Sequence, residues 1–317
     1  MATVPTDVLI FGAGVSGLTT AVCLAEIGFA VCIRTLELPH ATTSCAAGAI
    51  WSPYLVSHPN VDRWGEQTFQ ELSRLAAVPG TGVQLVTGTE AARSPVVPPD
   101  WAKRVPDFRW CVPDELPEGY ASGWRYTVPV VDMPAYLSHL GERLIAAGGR
   151  IEIGRAAALD EAWITVNCTG YAARDLVPDR KLEPVRGQLV VAENPGVQEF
   201  FADHDHTAEP TYYLPQGDYI VLGGSAEPGR LDLRPDLATS AAIVSRCATV
   251  EPRLRNARVT AHRVGIRPTR PTVRVEHVPL PGRHLIHNYG HGGAGVSLSW
   301  GCAREVADIV SELTGSA

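Results

Sequence analysis

Residues 8–28 read VLIFGAGVSGLTTAVCLAEIG, and this stretch decides the fold. The apolar residues 8–11 predict a strand that is buried on both faces, and the residues after position 17 show helical periodicity. Between them lie three spaced glycines, Gly12, Gly14 and Gly17. A strand, a glycine-rich turn and a helix in this order are typical of a dinucleotide-binding turn. The motif therefore predicts an α/β fold that binds NAD, NADP or FAD.

Each part of this turn has an expected function. Gly12 permits a tight turn, Gly14 lets the backbone approach a pyrophosphate, and Gly17 lets the helix pack closely on the strand. The N–H groups at the start of a helix have no partner inside it and therefore favour phosphate. The predicted contact residues are Gly12, Ala13, Gly14, Val15, Ser16 and Gly17.

The composition narrows the class of protein. The chain has 317 residues and a net charge of −7 with no block of basic residues, which argues against a nucleic-acid partner. No apolar run approaches membrane-spanning length, and the start of the chain lacks the basic segment of a secretory signal. The seven cysteines show no paired spacing, which is typical of a reducing compartment. We expect a cytoplasmic protein without a membrane partner.

The order of the predicted elements indicates two interleaved domains. A proline-rich region at 94–119 excludes a long helix there, whereas Asp132 is a plausible N-cap that opens a return to alternating helices and strands. The predicted cofactor domain comprises residues 1–54, 132–182 and 263–317, and the predicted substrate domain comprises residues 55–131 and 183–262. We expect a Rossmann-like domain interleaved with an α+β domain built on a mixed or antiparallel sheet.

The residues at the end of the second predicted strand (29–34) do not decide which dinucleotide binds. Dinucleotide folds usually place an acid there to hold the adenosine ribose. Here Arg34 and Thr35 occupy that place, and Glu37 follows slightly late. An arginine at this point can bind a 2′-phosphate, so NADP stays in consideration and Glu37 is only a candidate for the ribose contact.

A second glycine cluster near the C-terminus favours FAD. Residues 284–313 predict a short strand, a turn containing Gly290, Gly292, Gly293 and Gly295, and an amphipathic helix. Two glycine-rich helix starts could hold one long cofactor, with the pyrophosphate at the first and the isoalloxazine at the second. The positive end of the second helix would favour electron density on the flavin O2 side.

Seven segments, in order along the chain, resemble the D-amino-acid oxidases within the wider group of FAD-dependent oxidases that includes glycine oxidases. They are VLIFGAGVSGL, AAGAIWSPY, VNCTG, VRGQLVV, YYLPQGDYIVLGG, VGIRPTRPTVRVE and HNYGHGGAGVSLSWGCA. The resemblance implies non-covalently bound FAD and oxidative deamination of a D-amino acid. In that reaction a hydride passes from Cα to flavin N5, and O2 reoxidises the flavin to give hydrogen peroxide.

The resemblance also implies the residues that bind substrate. Arg267 matches an arginine that pairs with the substrate carboxylate, a task suited to its planar fork of N–H donors. Tyr212 matches a tyrosine whose hydroxyl contacts the same carboxylate, and Tyr213 would then face the other side of the strand. Gly293 matches a glycine whose carbonyl accepts the substrate amine. Catalysis would then be mostly orientation of Cα beneath N5, without a general base.

By the same resemblance, further residues would contact the cofactor. The loop that lines the isoalloxazine and ribityl chain would comprise Thr42, Thr43, Ser44, Gly48, Ala49 and Ile50. Ala156 and Thr169 would lie near the adenine and pyrophosphate. The contacts at the second helix start would come from Gly292, Gly293, Ala294, Gly295, Val296 and Ser297. Arg34 and Thr35 complete the predicted cofactor set.

Two departures from the family pattern bear on the substrate. Mammalian members carry a second tyrosine on a lid loop, but the matching residues 200–210 contain none. Ala226 and Glu227 stand where D-aspartate oxidases present an arginine, which disfavours acidic substrates and leaves neutral or basic ones. A homodimer is one expected assembly, although the sequence does not fix the oligomeric state.

Two alternative activities remain at this point, and a metal site is not expected. His287 and His291, or His204 and His206, have spacings seen in metal sites, but neither pair is expected to lie on a helix, and we predict no metal. A glycine or sarcosine-type amine oxidase is the nearest alternative activity. A non-catalytic NAD(P)-binding protein is the alternative that Arg34 favours.

Overall fold

The computed structural model describes residues 6–53, 55–155, 159, 162–205 and 209–315. Its helices are α1 (Val15–Glu26), α2 (Val61–Ala76), α3 (Met133–Ala146), α4 (Ala173–Leu176), α5 (Leu237–Val250) and α6 (Gly295–Thr314). Its first eight strands are β1 (Val8–Phe11), β2 (Val31–Thr35), β3 (Ala49–Ile50), β4 (Val83–Ala92), β5 (Arg109–Trp110), β6 (Ser122–Val131), β7 (Arg150–Ile153) and β8 (Ile164–Asn167). The others are β9 (Glu183–Glu193), β10 (Phe200–Asp203), β11 (Tyr212–Gln216), β12 (Tyr219–Gly223), β13 (Glu227–Pro228), β14 (Val259–Leu280) and β15 (Arg283–His291).

One half of the sheet is parallel, in the order β15-β8-β1-β2-β7. β1 lies in the middle, with β2 on one side and β8 on the other, and all four of its residues are buried. A strand covered on both faces needs apolar residues at successive positions, which explains the unbroken run at 8–11. Helices α1 and α6 pack against each other beside this half, and α3 packs against α1.

The other half runs in the order β3-β6-β4-β10-β11-β12-β9-β14, and only the β10–β4 pair is parallel. Strands β4 and β6 pair from Val83 opposite Val131 to Ala92 opposite Ser122. A second hydrophobic cluster joins α5 to strands β9, β11 and β12. The expected α/β class, a Rossmann-like unit interleaved with an α+β unit on a mixed sheet, is confirmed.

Strand β14 joins the two halves. It pairs with β9 from Val259 to Thr269 and with β15 on its other edge from Thr269 to Leu280, with a register shift between Thr269 and Arg274. It is a single strand of 22 residues. Because β14 contributes hydrogen bonds to both halves, residues near its middle lie where the halves meet.

The local predictions agree well with these elements. The carboxylate of Asp132 caps α3 by accepting a hydrogen bond from the Ala135 N–H at 3.5 Å. Residues 94–119 contain only short 3₁₀ turns and the two-residue strand β5. The predicted domain boundaries stay a prediction. None of the described helices is long and apolar enough to cross a membrane.

Candidate active site

The first glycine turn is as tight as its sequence predicts. Gly12 has φ +103°, a left-handed conformation that favours glycine, and an added Cβ would collide with the Cys168 carbonyl oxygen. An added Cβ at Gly17 would collide with the carbonyl oxygen of Gly12. Side chains are thus excluded where α1 approaches β1 and β8, and the backbone of the turn forms the surface.

The starts of α1 and α6 lie beside each other. A Cβ added at Gly295 would be 3.9 Å from Val15 Cγ1. The N-cap residues Gly14 of α1 and Ala294 of α6 make no side-chain hydrogen bond to their own helix starts. Helix starts carry partial positive charge and unpaired N–H groups, so this junction favours an anionic or electron-rich ligand.

The loop at 42–48 connects this junction to the antiparallel half. At one end, Ser44 Oγ accepts a hydrogen bond from the first N–H group of α1 at 2.9 Å. In the middle, a Cβ added at Gly265 on β14 would lie 3.1 Å from Thr43 Cγ2. At the other end, a Cβ added at Gly48 would lie 3.5 Å from Tyr212 Cε2. The loop therefore lines a continuous path from the glycine turn to Tyr212.

Tyr212 lies over two successive glycines, Gly223 at the end of β12 and Gly224 directly after it. It is opposite Gly223 in the register of β11 and β12, and a Cβ at Gly223 would collide with its ring. A Cβ at Gly224 would be 3.2 Å from the Tyr212 hydroxyl oxygen. Tyr213 packs instead on Phe201, with 5.8 Å between ring centroids, in the second hydrophobic cluster. The two tyrosines thus face opposite sides of the sheet, as their alternation predicts.

Arg267 lies against the backbone of Gly187 on the neighbouring strand β9. A Cβ added at Gly187 would lie 2.5 Å from the Arg267 Cζ and from both terminal nitrogens. One of these nitrogens, Nη1, donates a hydrogen bond to the Ser225 carbonyl oxygen at 3.0 Å. Ser225 follows Gly224, which the Tyr212 hydroxyl approaches. Arg267 and Tyr212 therefore converge on one tripeptide, residues 223–225.

Gly293 lies in the turn between β15 and α6 and is exposed. The preceding residue, Gly292, donates its N–H to the Pro268 carbonyl oxygen at 3.0 Å. Pro268 follows Arg267 on β14. This hydrogen bond brings the predicted amine acceptor to the same end of the site as the predicted carboxylate anchor.

Thr169 lies beside the first glycine turn, because a Cβ added at Gly12 would be 3.3 Å from its Cα. Its hydroxyl donates a hydrogen bond to Asn167 Oδ1 at 2.7 Å. Its N–H donates to the same oxygen at 3.2 Å, so both hydrogen-bond donors of Thr169 are engaged by Asn167. Ala156, the other residue predicted near the adenine, lies outside the described residues.

Known proteins resemble the chain along nearly its whole length. Residues 7–309 match a family model described as FAD dependent oxidoreductase. A D-amino-acid oxidase from Rubrobacter xylanophilus is 46% identical over 308 residues, which cover 95% of this chain and 94% of that protein. Another from Streptomyces coelicolor is 45% identical over 313 residues, with coverage of 96% and 97%. The chain belongs to the FAD-dependent oxidoreductase family of the D-amino-acid oxidases.

The fold comparison agrees with this family. The crystal structure of glycine oxidase from Geobacillus kaustophilus superposes with a TM-score of 0.81 at 21% identity, covering 96% of this chain and 94% of that one. Membership of the FAD-dependent oxidoreductases confirms the resemblance seen in the sequence. It also identifies the cofactor as FAD, rather than the NADP that Arg34 left open.

The described residues fit FAD. A dinucleotide needs backbone that approaches its pyrophosphate closely, and the glycines provide this because any Cβ at Gly12 or Gly17 would collide with a backbone carbonyl oxygen and widen the turn. The starts of α1 and α6, whose own N-cap residues make no side-chain hydrogen bond, direct N–H groups toward the same junction. The loop at 42–48 then extends the lining as far as Tyr212. These features together suit a long ligand with a charged middle and a flat end.

Several predicted FAD contacts have buried side chains. Ala49, Ala294 and Val296 lie in the main hydrophobic core, so only their backbone is suited to contact FAD. Ser297 is also buried, and its Oγ accepts a hydrogen bond from the Ser52 N–H at 2.9 Å. The Ser297 hydroxyl thus fastens α6 to the segment after β3. Ile50, which belongs to β3, is partly exposed.

The side chains at the end of β2 are engaged by neighbouring residues. Thr35 is buried, and its hydroxyl donates to the Glu37 carbonyl oxygen at 2.8 Å. Arg34 Nη2 lies 3.7 Å from Glu152 Oε2, in an ion pair between β2 and β7. The contact to the adenosine ribose therefore stays unassigned.

Sequence reasoning missed the residues that hold Arg267. Gly187 belongs to the quoted segment VRGQLVV, but its spacing alone does not reveal a guanidinium stacked above it. Ser225 contributes a carbonyl oxygen, which any residue type could supply. The neighbouring Arg186 is completely buried, which is unusual for a cation. The surrounding sequence does not predict this burial. Among the described residues, no group of three or more His, Cys, Asp or Glu could hold a metal ion.

Proposed function

We propose that the protein is an FAD-dependent oxidase of neutral D-amino acids, with FAD bound non-covalently. The observation that carries the proposal is the convergence of Arg267 and Tyr212 on residues 223–225, at the far end of the loop that starts from the FAD turn. A charged fork and a phenol hydroxyl beside each other suit a carboxylate. The identities of 46% and 45% to D-amino-acid oxidases support the same substrate class.

The chain's own residues orient the substrate. Arg267 holds the carboxylate through two parallel hydrogen bonds, and Tyr212 adds a third. The carbonyl oxygen of Gly293 accepts a hydrogen bond from the amine, which must be neutral to release a hydride from Cα. Bound FAD supplies the oxidant that accepts this hydride at N5 and returns the electrons to O2 as hydrogen peroxide. Water then hydrolyses the imino acid to a 2-oxo acid and ammonia.

Fixing two substituents of Cα explains selectivity for one enantiomer. Once the carboxylate and the amine are held, only two positions on Cα remain. The hydrogen must face the flavin, so the side chain takes the last position. The other enantiomer would direct its side chain at the flavin and its hydrogen away from it. Arg267, Tyr212 and Gly293 therefore supply chirality as well as affinity.

The preference for neutral side chains follows from charge. Glu227 stands where D-aspartate oxidases present an arginine, and hydrogen bonds from Arg186 and Arg230 already engage its carboxylate. Because two guanidinium groups already engage this carboxylate, it offers no free acceptor to a basic side chain, and positions 226 and 227 supply no guanidinium to pair with an acidic one. We propose that residues 1–54, 132–182 and 263–317 carry FAD, and that the protein acts in the cytoplasm.

A peroxide assay across an amino-acid panel tests the function. The purified protein, saturated with FAD, is incubated with D-alanine, D-methionine, D-lysine and D-aspartate, with the L-enantiomers as matched controls. We expect peroxide from the neutral D-amino acids and none from the L-forms. Glycine and sarcosine belong in the same panel, because turnover of these alone would identify a glycine-type oxidase. Equal peroxide from both enantiomers would contradict the proposal.

A further inference from the structure

The direction of the Arg267 fork depends on the backbone at residue 225. One face of the guanidinium lies against Gly187, and Nη1 donates to the Ser225 carbonyl oxygen at 3.0 Å. The group can therefore keep its direction only while that carbonyl stays in place.

Three hydrogen bonds hold Ser225. Its N–H donates to the Gln188 carbonyl oxygen at 3.2 Å, and its Oγ accepts from the Gln188 N–H at 3.1 Å. Its Oγ also donates to Glu227 Oε1 at 3.1 Å. The first two bonds belong to the backbone of β9. The third links Ser225 to a side chain and depends on a carboxylate.

Glu227 is itself anchored from two sides. Arg186 Nη1 donates to Glu227 Oε1, and Arg230 Nη1 donates to Oε2 at 2.5 Å. Arg186 is completely buried and also donates to the carbonyl oxygens of Asp232 at 2.6 Å and Arg234 at 2.7 Å. Burial alone would raise the pKa of Glu227, but hydrogen bonds from Arg230, Ser225 and Arg186 outweigh burial and lower it. Glu227 therefore remains ionised near neutral pH.

We propose that Glu227 is a positioning residue for substrate binding, acting through Ser225 on Arg267. The inference rests on the proposed function, in which Arg267 holds the substrate carboxylate. Glu227 touches neither substrate nor FAD in this scheme. Its carboxylate fixes the Ser225 hydroxyl, and the Ser225 carbonyl then fixes the guanidinium. A purely structural function, holding β13 against β9, would lower stability without changing carboxylate affinity selectively.

The first experiment compares Glu227→Ala with Glu227→Gln in the FAD-saturated enzyme. Alanine removes both acceptor oxygens, so we expect the D-alanine KM to rise about tenfold while kcat stays within about twofold. Glutamine keeps one acceptor oxygen for Ser225, so we expect it to restore most of the affinity. Glu193→Ala is the control, because Glu193 pairs with Arg258 at the last residue of β9, away from Arg186 and Glu227. We expect its KM to match the wild type.

A second readout separates positioning from folding. Propanoate, a simple monocarboxylate, is titrated against each variant, and the flavin absorbance reports its binding. We expect its Kd to rise by the same factor as KM. If Glu227→Ala fails to fold, Ser225→Ala decides the question, because it removes the hydroxyl that links Glu227 to Arg267, together with the bond that this hydroxyl accepts from the Gln188 N–H. Unchanged propanoate affinity in Ser225→Ala, or in a folded Glu227→Ala, would overturn the proposal.

A double-mutant cycle distinguishes this inference from the proposed function. If Glu227 acts through Arg267, then Glu227→Ala adds little to the effect of Arg267→Ala on propanoate affinity. Additive effects of the two substitutions would overturn the positioning function alone. If Arg267→Ala by itself leaves propanoate affinity unchanged, Arg267 is not the anchor and the substrate part of the proposed function fails.

Discussion

The guanidinium of Arg267 lies flat on the backbone of Gly187, so closely that a Cβ at position 187 would be 2.5 Å from Cζ, Nη1 and Nη2. The two residues lie on adjacent strands, with Arg267 opposite Val185 and Gly187 opposite Gly265. A side chain at 187 would therefore lift the fork off the sheet, and the hydrogen bond to Ser225 would be lost with it.

Gly187→Ala tests this contact. We expect the KM for D-alanine to rise by at least about tenfold, because the displaced guanidinium no longer faces the carboxylate in the right direction. FAD content is expected to stay at the wild-type level. Steady-state kinetics and flavin absorbance per chain check the two expectations.

Gly141→Ala is the matched control for that substitution. Gly141 lies inside α3, and an added Cβ there would meet no described atom within 4 Å beyond its chain neighbours and the nearby backbone of its own helix. Alanine is the better helix former by about 1 kcal/mol, so we expect equal or greater stability and unchanged kinetics. A wild-type KM in Gly187→Ala would show that the guanidinium has room to move without loss.

Removing the anchor itself is expected to have a larger effect. Arg267→Ala deletes both hydrogen bonds to the carboxylate, so we expect kcat/KM to fall at least about 100-fold, or about 3 kcal/mol. FAD should remain bound, because Arg267 lies at the substrate end of the lining. Arg267→Lys keeps the charge but not the fork, and we expect it to recover only part of the loss. Wild-type kinetics in Arg267→Ala would place the carboxylate elsewhere.

The first glycine turn is predicted to control FAD retention. In Gly17→Ala the new methyl group would collide with the Gly12 carbonyl oxygen, forcing α1 away from β1. We expect FAD binding at least about tenfold weaker, measured as flavin absorbance retained after dialysis. Gly141→Ala serves again as the comparison. Full flavin content in Gly17→Ala would mean that the turn can widen without affecting the cofactor.

The buried imidazole of His291 is expected to make stability depend on pH. Burial lowers its pKa from 6.5 to about 4, and Nε2 has no hydrogen-bond partner among the described residues. Between these two values the unfolded chain binds the proton and the folded chain does not. Stability therefore falls as pH falls through this window, and His291 contributes a loss of about 2 kcal/mol between pH 7 and pH 5.

Denaturant unfolding at pH 7 and pH 5, with FAD in excess, measures this loss. His291→Leu removes the titrating group but keeps an apolar side chain of similar size, so its stability should fall less over the same interval. Burial also lowers the pKa of His287 to about 4, and this contribution is common to both proteins. Identical losses in the two proteins would show that His291 does not contribute.

The sequence predicts best where one local rule acts alone. The run at 8–11, the glycine turn and the Asp132 cap each depend on neighbours within a few residues, and each appears as predicted. The family resemblance was also accessible, because whole segments match in order. Even so, the long strands β4 and β6 were not predicted. Val83 and Val131 become neighbours only through an intervening segment of nearly fifty residues.

The support of the site could not be predicted from local patterns. Arg186 and Glu227 lie far apart in the chain and meet through the pairing of β13 with β9. The acceptor at residue 225 is a backbone carbonyl oxygen, which the identity of the side chain does not reveal. Likewise, the adjacency of Val15 and Gly295 depends on how α1 packs against α6. These contacts arise from tertiary packing between residues that are distant in the chain. Patterns within short segments of one sequence do not predict such contacts.

The length of β14 has a consequence for how the protein can be divided. Residues 259–269 pair with β9, whereas residues 269–280 pair with β15. A chain that is cut near the middle of β14 would leave each fragment with only part of this strand and with an unpaired sheet edge. The two functional halves are thus inseparable as pieces of polypeptide, and recombining them from different relatives would require exchanging β14 whole together with its partners on both sides.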